Sequence, residues 1–195
     1  MPYMHHAIQQ ARKSLAEGGI PIGAALVLDN ELISLGHNRR VQNSSAILHA
    51  EMDCLENAGR LTPEEYKRCT LYTTLTPCWM CTGAILLYKI PTVVISDIRT
   101  YRSPALRLLM GSAIVEINES TSVECQYLLG IFINENPTLW NEDIGVSEVC
   151  GLDYREGQWI QIEICPDCGA KLRYEDIDKV WYCIRCDYEK MEVET

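Results

Sequence analysis

Two short runs carry residue types that can bind a metal and move a proton. His49-Ala50-Glu51 offers an imidazole and, two residues on, a carboxylate. Pro77-Cys78-Trp79-Met80-Cys81 offers two thiols three residues apart. Thiols so spaced at a helix start converge on one point, and the free N–H groups of the first turn favour the thiolate. Pro77 suits the opening of a helix because it has no donor to lose. Two thiolates and one imidazole give zinc three of the four ligands it prefers and leave one position for water. Water on zinc has a pKa of about 7 and supplies hydroxide at neutral pH. Glu51 is placed to take the water proton and pass it on without ligating the metal. A purely structural site would want a fourth protein ligand and no such acid.

Alternating elements must position these runs. Ile8, Ala11 and Leu15 share one helical face, and Gly18-Gly19 with Pro21 ends that helix. Ile22–Leu28 and Glu31–Leu35 read as strands joined by an Asp29-Asn30 hairpin turn, with Gly36-His37-Asn38 as a loop. A helix follows over Ile47–Asn57, stopped by Gly59, then a short helical start at Thr62-Pro63-Glu64-Glu65. Thr70–Leu75 is a strand, Pro77 opens a helix to about Tyr88, and Thr92–Ser96 is a strand. Leu106–Met110, Ala113–Ile117 and Val123–Asn134 read as helix, strand and helix. This alternation predicts an α/β fold, a three-layer α/β/α domain with helices covering the sheet.

Composition narrows the function classes. The chain has 195 residues, 47% hydrophobic and 23% charged, which suits one full α/β domain with a small appendage. Its apolar runs, such as Ala24–Leu28, are far shorter than the roughly 20 residues a membrane span needs. The net charge is −10, with 12 Lys/Arg against 19 Asp/Glu in residues 1–164 and 5 against 8 in residues 165–195. Neither part offers the basic surface of a nucleic-acid binder, so a small neutral molecule is the expected partner. Met1–His6 carries no basic, apolar leader, and ten cysteines without one point to metal binding in a reducing, cytoplasmic setting. Cys54, Cys69, Cys125 and Cys150 stand alone and read as small core residues.

His49-x-Glu51 followed by Pro77-Cys78-x-x-Cys81 resembles the signature of the zinc-dependent cytidine deaminase superfamily. The likeness extends to fungal-type cytosine deaminases in Gly19–Gly23, Gly36-His37-Asn38, Ala46–Glu51, Leu55–Leu61, Leu71–Ile85, Tyr88–Pro91 and Trp140–Gly145, across residues 5–146. That resemblance implies a cytidine-deaminase-like fold and a homodimer. It implies that His49, Cys78 and Cys81 hold a catalytic zinc and that Glu51 shuttles protons. Asn38 would hydrogen-bond the pyrimidine, and Asp143 would accept from a ring N–H or amine. Trp140 and Tyr101 would wall and lid the pocket, Leu75 and Ile22 would pack against the ring, and the Thr76 carbonyl would receive the leaving amine. On residue type alone Asn38 reads equally as a turn residue, Asp143 as a surface acid, and Trp140 and Tyr101 as core. The chain departs from the fungal pattern at Trp79, where the family has Asp and an indole can reshape the pocket, and in the Ile98–Ser103 lid.

Residues 147–157 read as a linker and 158–195 as a separate module, with Gln158–Ile164 as its entering strand. Cys165/Cys168 and Cys183/Cys186 form two knuckles, with Lys171–Tyr174 and Val180–Tyr182 as hairpin strands between them. Four thiolates close a tetrahedral zinc, so this second metal is expected to be structural, in a zinc ribbon. Four-thiolate iron is the competing metal. The sequence thus predicts hydrolytic deamination of a free nucleobase, cytosine to uracil and ammonia. Creatinine, isocytosine or a guanine-like amidine are alternative substrates. A tRNA adenosine deaminase or a non-catalytic zinc-ribbon binding module are the readings further off.

Overall fold

The computed structural model describes residues 3–101 and 103–145, and beyond them only the backbone of five strands. The chain divides into two compact units, Met1–Asn136 and Pro137–Thr195.

The first unit is built on a five-stranded sheet of order β2-β1-β3-β4-β5. Its strands are β1 (Gly23–Leu28), β2 (Glu31–His37), β3 (Cys69–Leu75), β4 (Thr92–Asp97) and β5 (Ile114–Ile117). β1 is antiparallel to both β2 and β3, while β3, β4 and β5 are mutually parallel. It follows that β2, β3, β4 and β5 point one way and end at one edge. Asp29 and Asn30 both take positive φ, 50° and 65°, which is the two-residue turn that matches strand twist.

Strand parity sorts the side chains into two cores. Ala25, Tyr72 and Val94 are register partners on one face, where they pack with Met4, Ala7, Ile8 and Ala11 of α1 (Met4–Ala16). Cys125 and Leu128 of α7 (Glu119–Glu135) complete that layer. Leu26, Leu71 and Val93 align on the opposite face, as do Ala24, Thr73 and Ile95, and all six are buried. There α3 (Ala50–Ala58) covers the sheet, with its Glu51 meeting Thr73. Central strands buried on both faces are the mark of a sheet between helical layers.

Two glycines set how closely those layers approach. A Cβ on Gly23 would lie 2.0 Å from the Ala7 carbonyl of α1. On Gly36, which pairs with Ala24, it would lie 2.2 Å from the Cys54 nitrogen and 2.6 Å from the Ala50 carbonyl of α3. Both helices therefore rest backbone on strand, and α3 is seated by the missing side chain of Gly36.

Several boundaries differ from the pattern-based reading. β2 runs on through His37, which pairs with Gly23, so the expected loop begins only at Asn38. α3 starts at Ala50 because His49 is its extended N-cap (φ −65°, ψ 162°), and the apolar Ile47 before it is exposed. α5 (Trp79–Tyr88) starts two residues after Pro77, with Cys78 as N-cap. α7 starts four residues before Val123, since its first turn, Glu119–Ser122, is polar and leaves no apolar period to read. The short helices α2 (Arg40–Asn43) and α8 (Pro137–Asp143) were not expected. α4 (Pro63–Tyr66) carries a complete capping box between Thr62 and Glu65, and α6 (Leu106–Met110) falls where periodicity places it.

The second unit contains α8 and two small sheets. β6 (Leu152–Arg155) pairs antiparallel with β7 (Gln158–Gln161), so part of the stretch read as linker is a hairpin strand. β8 (Leu172–Glu175), β9 (Val180–Cys183) and β10 (Glu189–Met191) form an antiparallel sheet in which Leu172 pairs with Cys183. Cys165, Cys168, Cys186 and the Cys183 side chain lie outside the described residues, as do Arg102 and residues 146–151.

Gly36→Ala is expected to destabilise the protein by about 1–3 kcal/mol, the usual cost of overpacking. That is a fall of roughly 2–12 °C in Tm for a chain of this size, read by calorimetry. Gly130→Ala, within α7 and with nothing within 4 Å of the added carbon, is the control. It is expected to hold or raise the Tm.

Candidate active site

Because β2 and β3 end at the same edge of the sheet, α3 and α5 both start there. Each presents its N-cap, His49 for α3 and Cys78 for α5, and Cys81 lies in the first turn of α5. The Cys78 and Cys81 sulfurs are 3.7 Å apart, and Cys78 Sγ is 3.6 Å from His49 Nδ1. All three donor atoms lie within 4.8 Å of one another, the one such group among the described residues. Two sulfurs about 2.3 Å from a tetrahedral zinc lie about 3.8 Å apart, and a sulfur and an imidazole nitrogen about 3.6 Å apart. The donors thus fit a zinc ion, and the sulfurs are too distant for a disulfide.

Electrostatics favour a cation at this point. The Cys78 thiol is pulled down to about 4, chiefly by the Cys81 thiol donating to it, with His49 also contributing. Cys81 is pushed up in return, because it keeps the proton the pair shares and is fully buried. The pair thus favours a cation even while it shares a proton, and a bound metal would release that proton.

Glu51 sits beside this group and outside it. It is buried, at 4% exposure, in the first turn of α3. Its Oε1 accepts from the Thr73 hydroxyl at 3.1 Å, and Cys81 is also a hydrogen-bond partner. Burial pushes the carboxyl up, and the Cys78 thiolate adds to that. The Thr73 hydroxyl also lies 3.1 Å from the Leu75 carbonyl, so its one proton has two acceptors; a protonated Glu51 would donate to the hydroxyl and leave that proton to Leu75. Thr73 escaped sequence reading because threonine in a β-rich run reads as strand propensity alone.

The other residues named from sequence are distributed as follows. Asn38 is fully buried; its N–H donates to the Ile22 carbonyl at 2.9 Å and its Oδ1 accepts from the Arg40 N–H at 3.1 Å. Its turn geometry and its burial are both real, so neither sequence reading displaces the other. Ile22 and Leu75 are buried. Thr76 is fixed to the Asp97 carbonyl through both its N–H (3.0 Å) and its hydroxyl (3.1 Å). Tyr101 is half-buried, whereas Trp79 is 57% exposed at the first turn of α5. Trp140 and Asp143 are buried residues of α8, in the second unit.

Residues 2–97 match the family described as the cytidine and deoxycytidylate deaminase zinc-binding region. A cytosine deaminase of Candida albicans is 50% identical over 141 residues, which is 71% of this chain and 92% of that protein. A tRNA-specific adenosine deaminase of Bacillus subtilis is 42% identical over 93 residues, 47% of this chain and 58% of that protein. Among solved structures, a tRNA deaminase that edits adenosine to inosine at the wobble position superposes with a TM-score of 0.55 and 27% identity. That superposition covers 65% of this chain and 98% of the other. A guanine deaminase from Nitrosomonas europaea shares the fold at a TM-score of 0.54 and 21% identity, over 68% of this chain and 84% of its own. Half-identity across nine-tenths of one deaminase, with the zinc-binding region itself spanning the two helix starts, means that this chain belongs to the cytidine and deoxycytidylate deaminase family.

Proposed function

We propose that the protein hydrolyses cytosine, as the free base, to uracil and ammonia. The observation that carries this reading is the buried Glu51 carboxyl beside, and not within, a three-donor metal group. The 50% identity to a cytosine deaminase selects the substrate among those such a site can serve. His49, Cys78 and Cys81 hold the zinc, which when bound makes hydroxide available at neutral pH. Glu51 accepts the proton of the attacking water and delivers it to the ring nitrogen. It then takes the remaining proton from the hydroxyl added to the ring carbon and carries it to the exocyclic amine, so that the C–N bond breaks, ammonia leaves and the carbon becomes a carbonyl. Thr73 keeps the carboxyl aimed during these transfers, since its hydroxyl can donate to the charged carboxylate and accept from the protonated one.

Asn38 reads the polar edge of the base, so a ring lacking the matching group leaves a buried polar side chain unpaired; the acceptor role for Asp143 rests on the resemblance alone, since that residue belongs to the second unit. Ile22, Leu75 and Tyr101 supply the apolar walls, Trp79 borders the entrance, and the Thr76 carbonyl receives the amine; the wall role for Trp140, a residue of the second unit, rests on the resemblance alone. The deaminase domain spans residues 1–146, with 147–157 connecting it to the module at 158–195. A tRNA substrate is disfavoured by the net charge of −10.

A homodimer is part of the same reading. α5 has no charged residue, and it leaves Trp79, Leu87 and Tyr88 exposed, beside Leu108 and Met110 on the neighbouring α6. Exposed apolar side chains on these two helices suit a second copy of the chain. The module at 158–195 takes a second, structural zinc on Cys165, Cys168, Cys183 and Cys186, on the strength of their spacing. The cysteine-rich sequence suits a reducing cytoplasm, and no helix among the described residues is long and apolar enough to cross a membrane.

Ammonia release from cytosine, 5-fluorocytosine, creatinine, isocytosine, guanine and cytidine tests the substrate. Cytosine is expected to give the highest kcat/KM, and preference for any other member replaces it as substrate. Glu51→Gln is expected to keep its zinc and lose about 10²–10⁴-fold in kcat; retained turnover would remove the proton shuttle. Metal analysis is expected to find two zinc ions per chain, and Cys183→Ser one, with cytosine turnover preserved. Loss of both ions in that variant would join the two sites into one system.

A further inference from the structure

A second buried carboxylate, Asp53, lies one turn along α3 from His49 and is only 2% exposed. Its backbone N–H donates to the His49 carbonyl at 2.8 Å, so it belongs rigidly to the turn that carries His49 and Glu51. Its side chain reaches across to the end of β2. Oδ2 accepts the His37 N–H at 3.0 Å, and Oδ1 accepts from Arg39 Nη1 at 3.2 Å. One carboxylate thus grips the residues on both sides of Asn38. Asn38 is held from the other direction too, by the Ile22 carbonyl on its N–H and by the Ser14 hydroxyl on its carbonyl at 2.8 Å.

A buried charge is costly unless paired and hydrogen-bonded, and a side chain without acceptors would cost less to bury but would leave the His37 N–H unpartnered. The position lies on the sheet-facing side of α3, among the buried Ala50, Cys54 and Leu55, where an apolar residue would fit the pattern. What the carboxylate supplies and an apolar side chain does not is a fixed spacing between Asn38 and the first turn of α3. The His37 ring adds a second tie, from Nε2 to Glu17 Oε2 of the segment after α1 (2.9 Å) and from Nδ1 to Gln10 Oε1 (3.1 Å).

We propose that Asp53 is a positioning residue for the deaminase site, clamping His37 and Arg39 so that Asn38 presents its side chain at a fixed distance from Glu51. This rests on the reading of Asn38 as a base-binding residue. Displacement of such a group by about 1 Å can cost up to 10²-fold in rate.

The test is a double-mutant cycle on the full-length zinc protein with cytosine as substrate. Asp53→Asn keeps the size and offers one acceptor, but turns an NH2 towards Arg39. It is expected to lower kcat/KM by 10–100-fold, mainly through KM, at unchanged zinc content. In the Asn38→Ala background the same change is expected to have less than a twofold further effect. Arg39→Ala, at a position where the side chain is 37% exposed, removes one arm without threatening the fold. It is expected to raise KM about threefold. Additive losses in the cycle overturn the clamp and leave the function standing. An Asn38→Ala variant with normal kinetics overturns the base-binding role and the clamp together. Amide hydrogen exchange at His37–Arg39 gives a readout free of turnover. It is expected to rise at least threefold in Asp53→Asn, and unchanged exchange overturns the clamp even should cytosine prove not to be the substrate.

Discussion

The structure depends on a half-buried thiol whose proton is drawn away by its neighbours. Cys78 is driven ionised by its partner thiol and by His49, at the positive end of a helix. A negative sulfur in that setting requires a cation, and three donors at tetrahedral spacing are the chain's provision for one. The rest of the first unit can be understood as the scaffold that brings two helix starts to that point.

That scaffold works by parity and by omission. Parity places Leu71 and Thr73 towards α3 and Tyr72 towards α1, so one strand serves two cores and aims its hydroxyl at Glu51. Omission is the work of Gly36, whose missing side chain lets the backbone of α3 settle on β2. Metal-binding and proton-handling groups then meet at the edge where β2 and β3 end, the usual location for sites in sheets of this kind. A carboxyl placed there is desolvated by its surroundings, and its tendency to hold a proton follows from position more than from residue type.

The two acids of α3 illustrate two uses of burial. Glu51 has the Thr73 hydroxyl and the cysteine pair for company, and faces the metal group. Asp53 is saturated by a backbone N–H and a guanidinium, and faces the protein. Two residues apart on one helix, they point to different neighbours because the helix turns about 100° per residue.

Chemistry-bearing spacing was legible in the chain itself. Three-residue separation at a helix start brings two sulfurs together locally, so Cys78 and Cys81 needed no tertiary information. Hairpin chemistry at Asp29-Asn30 and apolar periodicity in α1 are local in the same sense. The arrival of His49, 29 residues away in sequence, at 3.6 Å from Cys78 is a product of sheet order, as is the meeting of Thr73 with Glu51. Asp53 and Thr73 looked ordinary because their roles consist of long-range hydrogen bonds, which leave no period in the sequence. Local geometry decides which atoms can act together within a turn; only the packing of strand against helix decides which turns meet.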